Sequence, residues 1–559
     1  MNPSGQKNIT VLFHILMAMV VSLFGIEYFM TDDASIHGNY FFIILFLVFY
    51  LLSRLLFMVS QKWMLVIVIS FISFLCVKES FLGVAQLFGH RSSNHYLYAL
   101  TGSFKNPGPY GGFLAICISL LSAYYLKTKD SPGNLISIFF HWVSLIAAVI
   151  AFIILPSTQS RSAILALGCS MILLSFGTNS IKIKLKPILK KYGIWLFLGV
   201  MAMIIGAYLI KKPSADGRLF IDKICIKAMY ENGWNGAELG HFGGAYGEAQ
   251  ANYFKKQIDE KGKDDLDWSA INEHDRMTAD CPDNAFNEYL FIGVEAGPFA
   301  MLLFIGIIIT AIVISFKKGT IWCYGLTAFA VFALFSYPLH VKQFQILLPI
   351  LLAACVSDRE NKTIDVADEN NKVDKQLSVF IALDIILITI SITLFLLQVP
   401  EIRKYRQAEK AWEKTKYWYQ MEYYKYVVED CDSLFPYKNH DYTFLFAYGQ
   451  SLNKIGKYEK SDSILKLGVK ISSDPMFWNV MGNNSTSLGK YHEAEERYIY
   501  AFYMLPNRLY PLYLLAKLRY EEGDTVRFIE MTNTVNCFVP KVESTLTESL
   551  RDEIKRLNN

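Results

Sequence analysis

The feature that most restricts how this chain can fold is a series of about eleven apolar runs, at residues 9–30, 40–60, 63–77, 110–126, 135–155, 162–177, 193–210, 298–315, 321–337, 344–355 and 378–397. Each is long enough, or nearly so, to cross about 30 Å of hydrocarbon as a helix. In hydrocarbon the backbone must satisfy its own polar groups, and a helix does so within one segment. The runs predict an all-α polytopic membrane protein with about 11–12 transmembrane helices. The first run is too long, and too poor in small residues, for a removable signal, so it counts as a span. The stretch 63–77 is free to continue through 81–89. Only 19% of the 559 residues are charged. The formal net charge of +4 is too small and too dispersed for the basic face that nucleic-acid binding needs.

Lysine and arginine in the short connections set the orientation. With an inner amino terminus, Arg54, Lys62, Lys127, Lys129, Lys182, Lys184, Lys186, Lys190, Lys191, Lys317 and Lys318 fall on the inner side, while the short outer connections offer only Lys342. The connection 78–109, the turn 156–161 and the long polar stretch 211–287 then lie outside. An odd number of spans puts the tail after residue 397 outside as well. The stretch 211–287 carries Arg218, His241, His274, Arg276, Asp283 and Asn287, too much polarity for hydrocarbon. It is far longer than a simple connection requires, and Trp234, Phe242, Tyr246, Tyr253, Phe254 and Trp268 give it material for an ordered core. Residues 357–376, rich in acids, lysines and asparagines, read as an inner linker.

The chain divides into a membrane part, 1–397, and a helical tail, 398–559. In the tail, Gly456-Lys457-Tyr458 recurs as Gly489-Lys490-Tyr491 and more loosely as Gly523-Asp524, with Pro475, Pro506 and Pro540 at related intervals. A period of about 34 residues with glycine at the inter-helix turn resembles tetratricopeptide helix pairs, an α-solenoid that offers an interaction surface. The aromatic-rich stretch 405–426 reads as an earlier repeat or a cap. The nine cysteines form no CxxC pair, so neither a zinc site nor a redox motif is indicated. Cys225 with Cys281, and Cys431 with Cys537, share compartments in which disulfides are open to them if the space is oxidising.

Several outer segments carry groups suited to an anionic ligand. Residues 102–113 read GSFKNPGPYGGF, in which glycine and proline let backbone N–H groups approach a ligand and Lys105 adds charge. The turn 157–163, STQSRSA, puts Arg161 at the mouth of a helix, where an arginine normally has an anionic partner. Arg218 opens the amphipathic segment GRLFIDKI, a second guanidinium whose planar fork suits phosphate. Further on come GAELGHFGGAY, with His241, and DNAFNEYL, with Asp283, Asn287 and Glu288. Snorkelling of Arg161 to the interface, an N-cap role for Asp283 at the start of the following helix, and an interfacial role for His340 and Lys342 are the plainer structural readings.

In this order, from Leu82 to Ala354, these segments resemble the superfamily of O-antigen ligases and O-antigen polymerases, bacterial inner-membrane glycosyltransferases. The resemblance implies a GT-C-like fold whose large periplasmic loop covers a cavity for an undecaprenyl-diphosphate-linked glycan. It implies transfer of that glycan, without cofactor or metal, to an acceptor hydroxyl on lipid A core, a growing glycan or a protein. Arg161 and Arg218 match the family's arginines, which would bind the diphosphate together with Lys105 and Asn287. Ligases of this kind carry a histidine immediately before the asparagine; here Phe286 stands there. Glu288, Asp283 and His241 are the candidate bases in its place. Adjacent helix positions point in different directions, so Glu288 does not inherit that role automatically. A polymerase, a protein O-oligosaccharyltransferase, a catalytically lapsed homologue and a non-catalytic transporter or scaffold remain as alternatives. The repeats favour a protein partner or acceptor.

Overall fold

A computed structural model describes residues 9–20, 37–128, 135–178, 187, 212–261, 266–357 and 370–558. The span expected at 193–210, the lysine-rich connection from 182 to 191 except residue 187, and most of the acidic linker lie outside these residues. The described residues are helical and contain no strand. Four helices are long and apolar enough to cross a membrane: Gln61–Leu87, Pro107–Thr128, Ile138–Thr158 and Gly297–Lys318. The first of these absorbs the expected continuation of the run at 63–77. Ile9–Val20, Ile43–Val59, Arg161–Gly177, Trp322–Ala333 and Lys342–Val356 are apolar but shorter. The run at 321–337 falls short of a full crossing because its helix ends before a 3₁₀ turn at Pro338–His340, where proline cannot continue the hydrogen-bond ladder. Helix Pro107–Thr128 sits at the centre, with 83% of its apolar window buried.

The helix ends sort the connections. At one end, the loop before Pro107, the turn at Leu155–Thr158, the polar segments from Lys212 to Asn287 and the turn at Pro338–His340 come together. At another, Lys127 donates to the carbonyls of Gly319 and Thr320, and Lys318 to that of Val356. These lysines serve as C-terminal partners for carbonyls that a helix leaves unpaired.

The polar stretch is ordered, as its aromatics suggested. Helices Lys212–Asn232 and Phe242–Asp259, the turn Trp268–Ala270 and the short helix Glu273–Thr278 enclose Phe220, Ile224, Tyr246 and Phe254. This core does not end at the loop. It runs without interruption into Tyr498, Phe502, Leu512 and Leu515 of the tail, so loop and tail occupy the same side of the apolar bundle. Gly243 and Gly244 make the join: a Cβ on either would come within 2.5 Å of the carbonyl of Ile471 or Lys470. Buried polar contacts fasten it. Gln250 donates to the carbonyl of Met504 at 2.5 Å, Asn507 to those of Arg276 and Ala279 at 2.9 Å each, and Arg276 to that of Val539 at 2.9 Å. Arg276 also lies over the rings of Trp268 and Phe538.

The tail consists of helix pairs Tyr442–Lys454/Tyr458–Gly468, Met476–Ser487/Tyr491–Met504 and Tyr510–Glu522/Thr525–Cys537, closed by Thr545–Asn558. The three glycines of the repeating motif, Gly456, Gly489 and Gly523, all have φ between 73° and 79° and end the first helix of each pair, the left-handed position that glycine takes at least cost. Residue 397 marks no break. Helix Asn370–Gln420 runs through it and brings the aromatic stretch with Trp412 against helix Tyr424–Lys438. All nine cysteines are free thiols, so neither disulfide is formed. Cys431 is buried in the repeat core while Cys537 is exposed, and Cys225 and Cys281 both flank the buried hydroxyl of Tyr246.

Candidate functional site

The glycine- and proline-rich loop is held from below by helix Gln61–Leu87. The buried Glu79 accepts from the Ser103 N–H at 2.9 Å and from its hydroxyl at 2.8 Å, and Gln86 accepts from the N–H groups of Thr101 and Gly102. The loop delivers the Asn106 side chain to the hydroxyl of Tyr337. Lys105 is exposed and makes no hydrogen bond or ion pair with another described residue.

Ser160 caps helix Arg161–Gly177, accepting from the Ala163 N–H at 3.4 Å, and so puts Arg161 in the first turn. Arg218 approaches from helix Lys212–Asn232. It donates to the Phe335 carbonyl at 2.8 Å and lies over the ring of Phe286, 5.2 Å from its centre. Burial holds its guanidinium below the ordinary value, and the charge of Arg161 lowers it further. The two predicted arginines are thus neighbours, two like charges gathered in one place. Asp222, one turn on, hydrogen-bonds Asn287. Burial pushes its carboxyl up to about 6, while Asn287 and Arg218 pull the other way. Asn287 is also the N-cap of helix Glu288–Glu295, its Oδ1 accepting from the N–H groups of Tyr289 and Leu290. The cap expected at Asp283 is therefore at Asn287, because the helix starts a full turn later than its sequence suggested.

On the other side of this helix start lies a cavity of about 1420 Å³. Its apolar wall includes Met17, Phe46, Phe304, Ile307, Leu348 and Leu352 of the bundle; the polar segments supply Trp234, Gly240 and Phe242; and Tyr442, Ile471, Ser472 and Ser473 of the tail close it. Its charged floor is helix Glu288–Glu295 with the turn at Pro338–His340. Glu288, 1% exposed, accepts from the Leu339 N–H at 2.5 Å through Oε1, which also faces His340 Nδ1 at 3.4 Å; its Oε2 is buried without a hydrogen-bond partner. Glu295 accepts from the N–H groups of Gly240 and Phe242 at 3.0 and 3.3 Å. Burial pushes its carboxyl up to about 7, helped by Glu288 and opposed by His340 and the two N–H groups. Burial lowers the His340 imidazole, but Glu288, by charge and hydrogen bond, and Glu295, by charge, outweigh it and leave His340 above its ordinary 6.5. Gly297 fixes this floor against the turn Gly233–Asn235: at φ 84°, a Cβ there would stand 2.0 Å from the Trp234 carbonyl oxygen.

The predicted residues therefore fall into two groups. Arg161, Arg218 and Asn287 gather with Asp222 and Tyr337; Glu288 and Asp283 line the cavity, and neither arginine does. The arginines and the candidate bases do not share this cavity: Phe286 and Tyr337 lie with Arg218, and Glu288 and His340 line the cavity wall. Asp283 is exposed and hydrogen-bonds Tyr442 of the tail. His241 occupies the N-cap of helix Phe242–Asp259 without a side-chain cap bond, its Nδ1 buried without a partner, and it is not part of the cavity wall. Glu295, Asp222 and Glu79 were not anticipated. The spacing of Glu288 and Glu295, two turns apart on one helix, was the one available hint. Among the described residues, no group of three His, Cys, Asp or Glu is arranged to hold a metal ion. No family model matches the chain, and no curated protein is significantly similar to it.

Proposed function

We propose that this chain is a membrane glycosyltransferase of the O-antigen ligase type. In this reading it transfers a glycan from undecaprenyl diphosphate to an acceptor hydroxyl at the periplasmic face of the bacterial inner membrane. The observation that carries the reading is the convergence of Arg161 and Arg218, 57 positions apart in sequence, at the end of an apolar bundle. Two guanidinium groups within each other's electrostatic reach, one of them depressed first by burial and further by the charge of the other, are a site that gains from a doubly charged anion. A diphosphate there is both the anchor and the leaving group, and guanidinium stabilises the charge that develops as it departs. Asp222, held near 6, can surrender its charge by taking a proton when that anion enters. The adjoining cavity, greasy on one wall and carboxylate-bearing on its floor, suits a lipid-borne or glycan acceptor, and the repeats that close it would meet that acceptor first. A polymerase or a protein O-oligosaccharyltransferase shares the donor and differs only in what enters this cavity.

A non-catalytic lipid-binding scaffold is the second reading, and one observation favours it: neither guanidinium lines the cavity. Purified protein in lipid nanodiscs, given undecaprenyl-diphosphate-linked glycan and candidate acceptors, separates the two. Transfer by the wild-type chain, reduced roughly 100-fold or more in Arg161→Ala and Arg218→Ala, supports the transferase. Full transfer in both variants removes the arginine clamp, and donor binding without turnover supports the scaffold.

A further inference from the structure

We infer that His340, through Nε2, is the general base that takes the proton of the acceptor hydroxyl, with Glu288 as the residue that positions its ring. The inference rests on the transferase reading and supplies the group that Phe286 fails to provide.

Reach decides between the carboxylate and the imidazole. Glu288 is 1% exposed, and its Oε1 is already committed to the Leu339 N–H. Its Oε2 is buried as well, so the carboxylate presents almost no accessible surface to the cavity it lines. His340 follows Leu339 directly, and 37% of its side chain is accessible where it lines the cavity. Its Nδ1 faces the Glu288 Oε1. With the Glu288 oxygen as acceptor, Nδ1 of the neutral ring carries the proton and Nε2 keeps a lone pair. This is the arrangement of a base oriented by a third group, in which the carboxylate fixes the tautomer and steadies the imidazolium. The ring is also held edge-on by Phe291 at 4.5 Å.

The other candidates are engaged elsewhere. Asp283 bonds Tyr442, Glu295 is occupied by two backbone N–H groups, and His241 is off the wall. The groups that act on His340 by charge are Glu288 and Glu295 from helix Glu288–Glu295, and the Tyr337 ring lies 6.5 Å away; Glu238, Asp283, His440 and Tyr442 line the same cavity. Glu288 and Glu295 both favour the imidazolium that forms.

The step balances as a simple displacement. The acceptor O–H gives its proton to Nε2 and its oxygen bonds the anomeric carbon. The bond from that carbon to the diphosphate oxygen breaks, and its electron pair leaves with the diphosphate. The imidazolium then releases its proton to water. Tyr337, three residues earlier, hydrogen-bonds Asn106 and lies within the charge field of Arg218. The turn that bears His340 thus adjoins both the leaving-group site and the acceptor site.

Two measurements test this on the full chain in nanodiscs. Carbethoxylation of His340 by diethyl pyrocarbonate, followed by peptide mass spectrometry across pH, should titrate above the ordinary 6.5 in wild type and lower in Glu288→Gln. A midpoint at or below 6.5, or one unmoved by Glu288→Gln, overturns the pairing. With undecaprenyl-diphosphate-linked glycan as probe, His340→Gln should lose about 100-fold or more in turnover with donor KM unchanged, and His340→Ala should regain part of it with added imidazole. Glu288→Gln should shift the acidic limb of the pH–rate profile downward, which loss of a purely structural contact would not do. A fully active His340→Gln overturns the base assignment and leaves the transferase standing. A wild-type chain without transfer overturns both the reaction and the base role, and the titration then reports the His340–Glu288 pair alone.

Discussion

Replacing Glu295 by glutamine should stabilise the protein, and only above mildly acidic pH. The side chain is 7% exposed and its carboxyl is pushed from 4.5 to about 7, chiefly by burial. A group whose folded pKa is raised is held protonated by the native state, so stability falls as pH climbs from the unfolded to the folded value. At about 1.4 kcal/mol per tenfold change in proton affinity, the penalty on the native state is under about 1 kcal/mol at pH 5 and roughly 3 kcal/mol at pH 8. Glutamine removes the charge yet keeps an oxygen to accept from the Gly240 and Phe242 N–H groups, so the bonds now made at 3.0 and 3.3 Å need not be lost. Thermal unfolding of wild type and Glu295→Gln in one detergent, followed by tryptophan fluorescence, measures the difference at each pH; acid-sensitive groups remote from Glu295 cancel between the two proteins, and only His340 and Glu288, which share its charge field, do not. The variant should melt several degrees higher at pH 8 and nearly with wild type at pH 5. An advantage of equal size at both pH values, or a variant less stable at pH 8, would refute the account of Glu295 as a buried carboxyl held against its will.

Three other outcomes follow from the packing. Gly297→Ala places a Cβ against the Trp234 carbonyl at positive φ and should cost at least 2–3 kcal/mol, whereas Gly319→Ala, also at positive φ but with nothing within 4 Å, should cost only about 1 kcal/mol; equal losses in the two melting curves would contradict the close approach. Asn507→Ala takes the donor from the buried Arg276 carbonyl and should cost about 1–3 kcal/mol, with earlier release of the tail in limited proteolysis; an unchanged digestion course would show that the joint does not depend on it. In intact cells, a membrane-impermeant maleimide should reach the exposed Cys537 and a cysteine placed at the exposed Lys255 from the same side of the membrane, and labelling from opposite sides would disprove the shared core of loop and tail.

Local regularities were readable in the sequence; contacts between distant segments were not. The glycines at 456, 489 and 523 advertise their turns because a left-handed residue after a helix is a local demand, and each adopts it. The aromatics of the polar stretch likewise announced an ordered core. That this core is completed by the tail left no trace in composition or period, because Gly243 and Gly244 look like loop glycines until the carbonyls of Ile471 and Lys470 arrive beside them. The continuous helix through residue 397 was hidden for a related reason: the change from apolar to polar composition suggests a boundary, although hydrogen-bonding along a helix is indifferent to it. The cap at Asn287 was missed by four residues, since Asp and Asn are both good caps and only the tertiary partner, Asp222, selects between them.

The separation of the arginines from the carboxylate-lined cavity has a local cause. Asn287, the N-cap, has extended backbone at φ −150° and ψ 105°, while Glu288 is the first helical residue, so their side chains leave in different directions. Asn287 caps helix Glu288–Glu295 and turns its amide to Asp222, beside Arg218; Glu288, the next residue, turns instead to Leu339 and His340. The facing turn repeats the division, with Tyr337 directed to Asn106 and His340 to the cavity. Two short backbone segments thereby serve two groups of side chains, a cationic cluster around Arg218 and a cavity lined by carboxylates and an imidazole. Such a partition keeps Arg218 from forming an ion pair with Glu288, which would neutralise an anion-binding guanidinium and disable the carboxylate as a partner for His340. If the proposed transfer takes place, its reacting centre has to sit across the turn itself, so activity should be most sensitive to small displacements of the wall segments, Phe286 to Tyr289 and Tyr337 to His340.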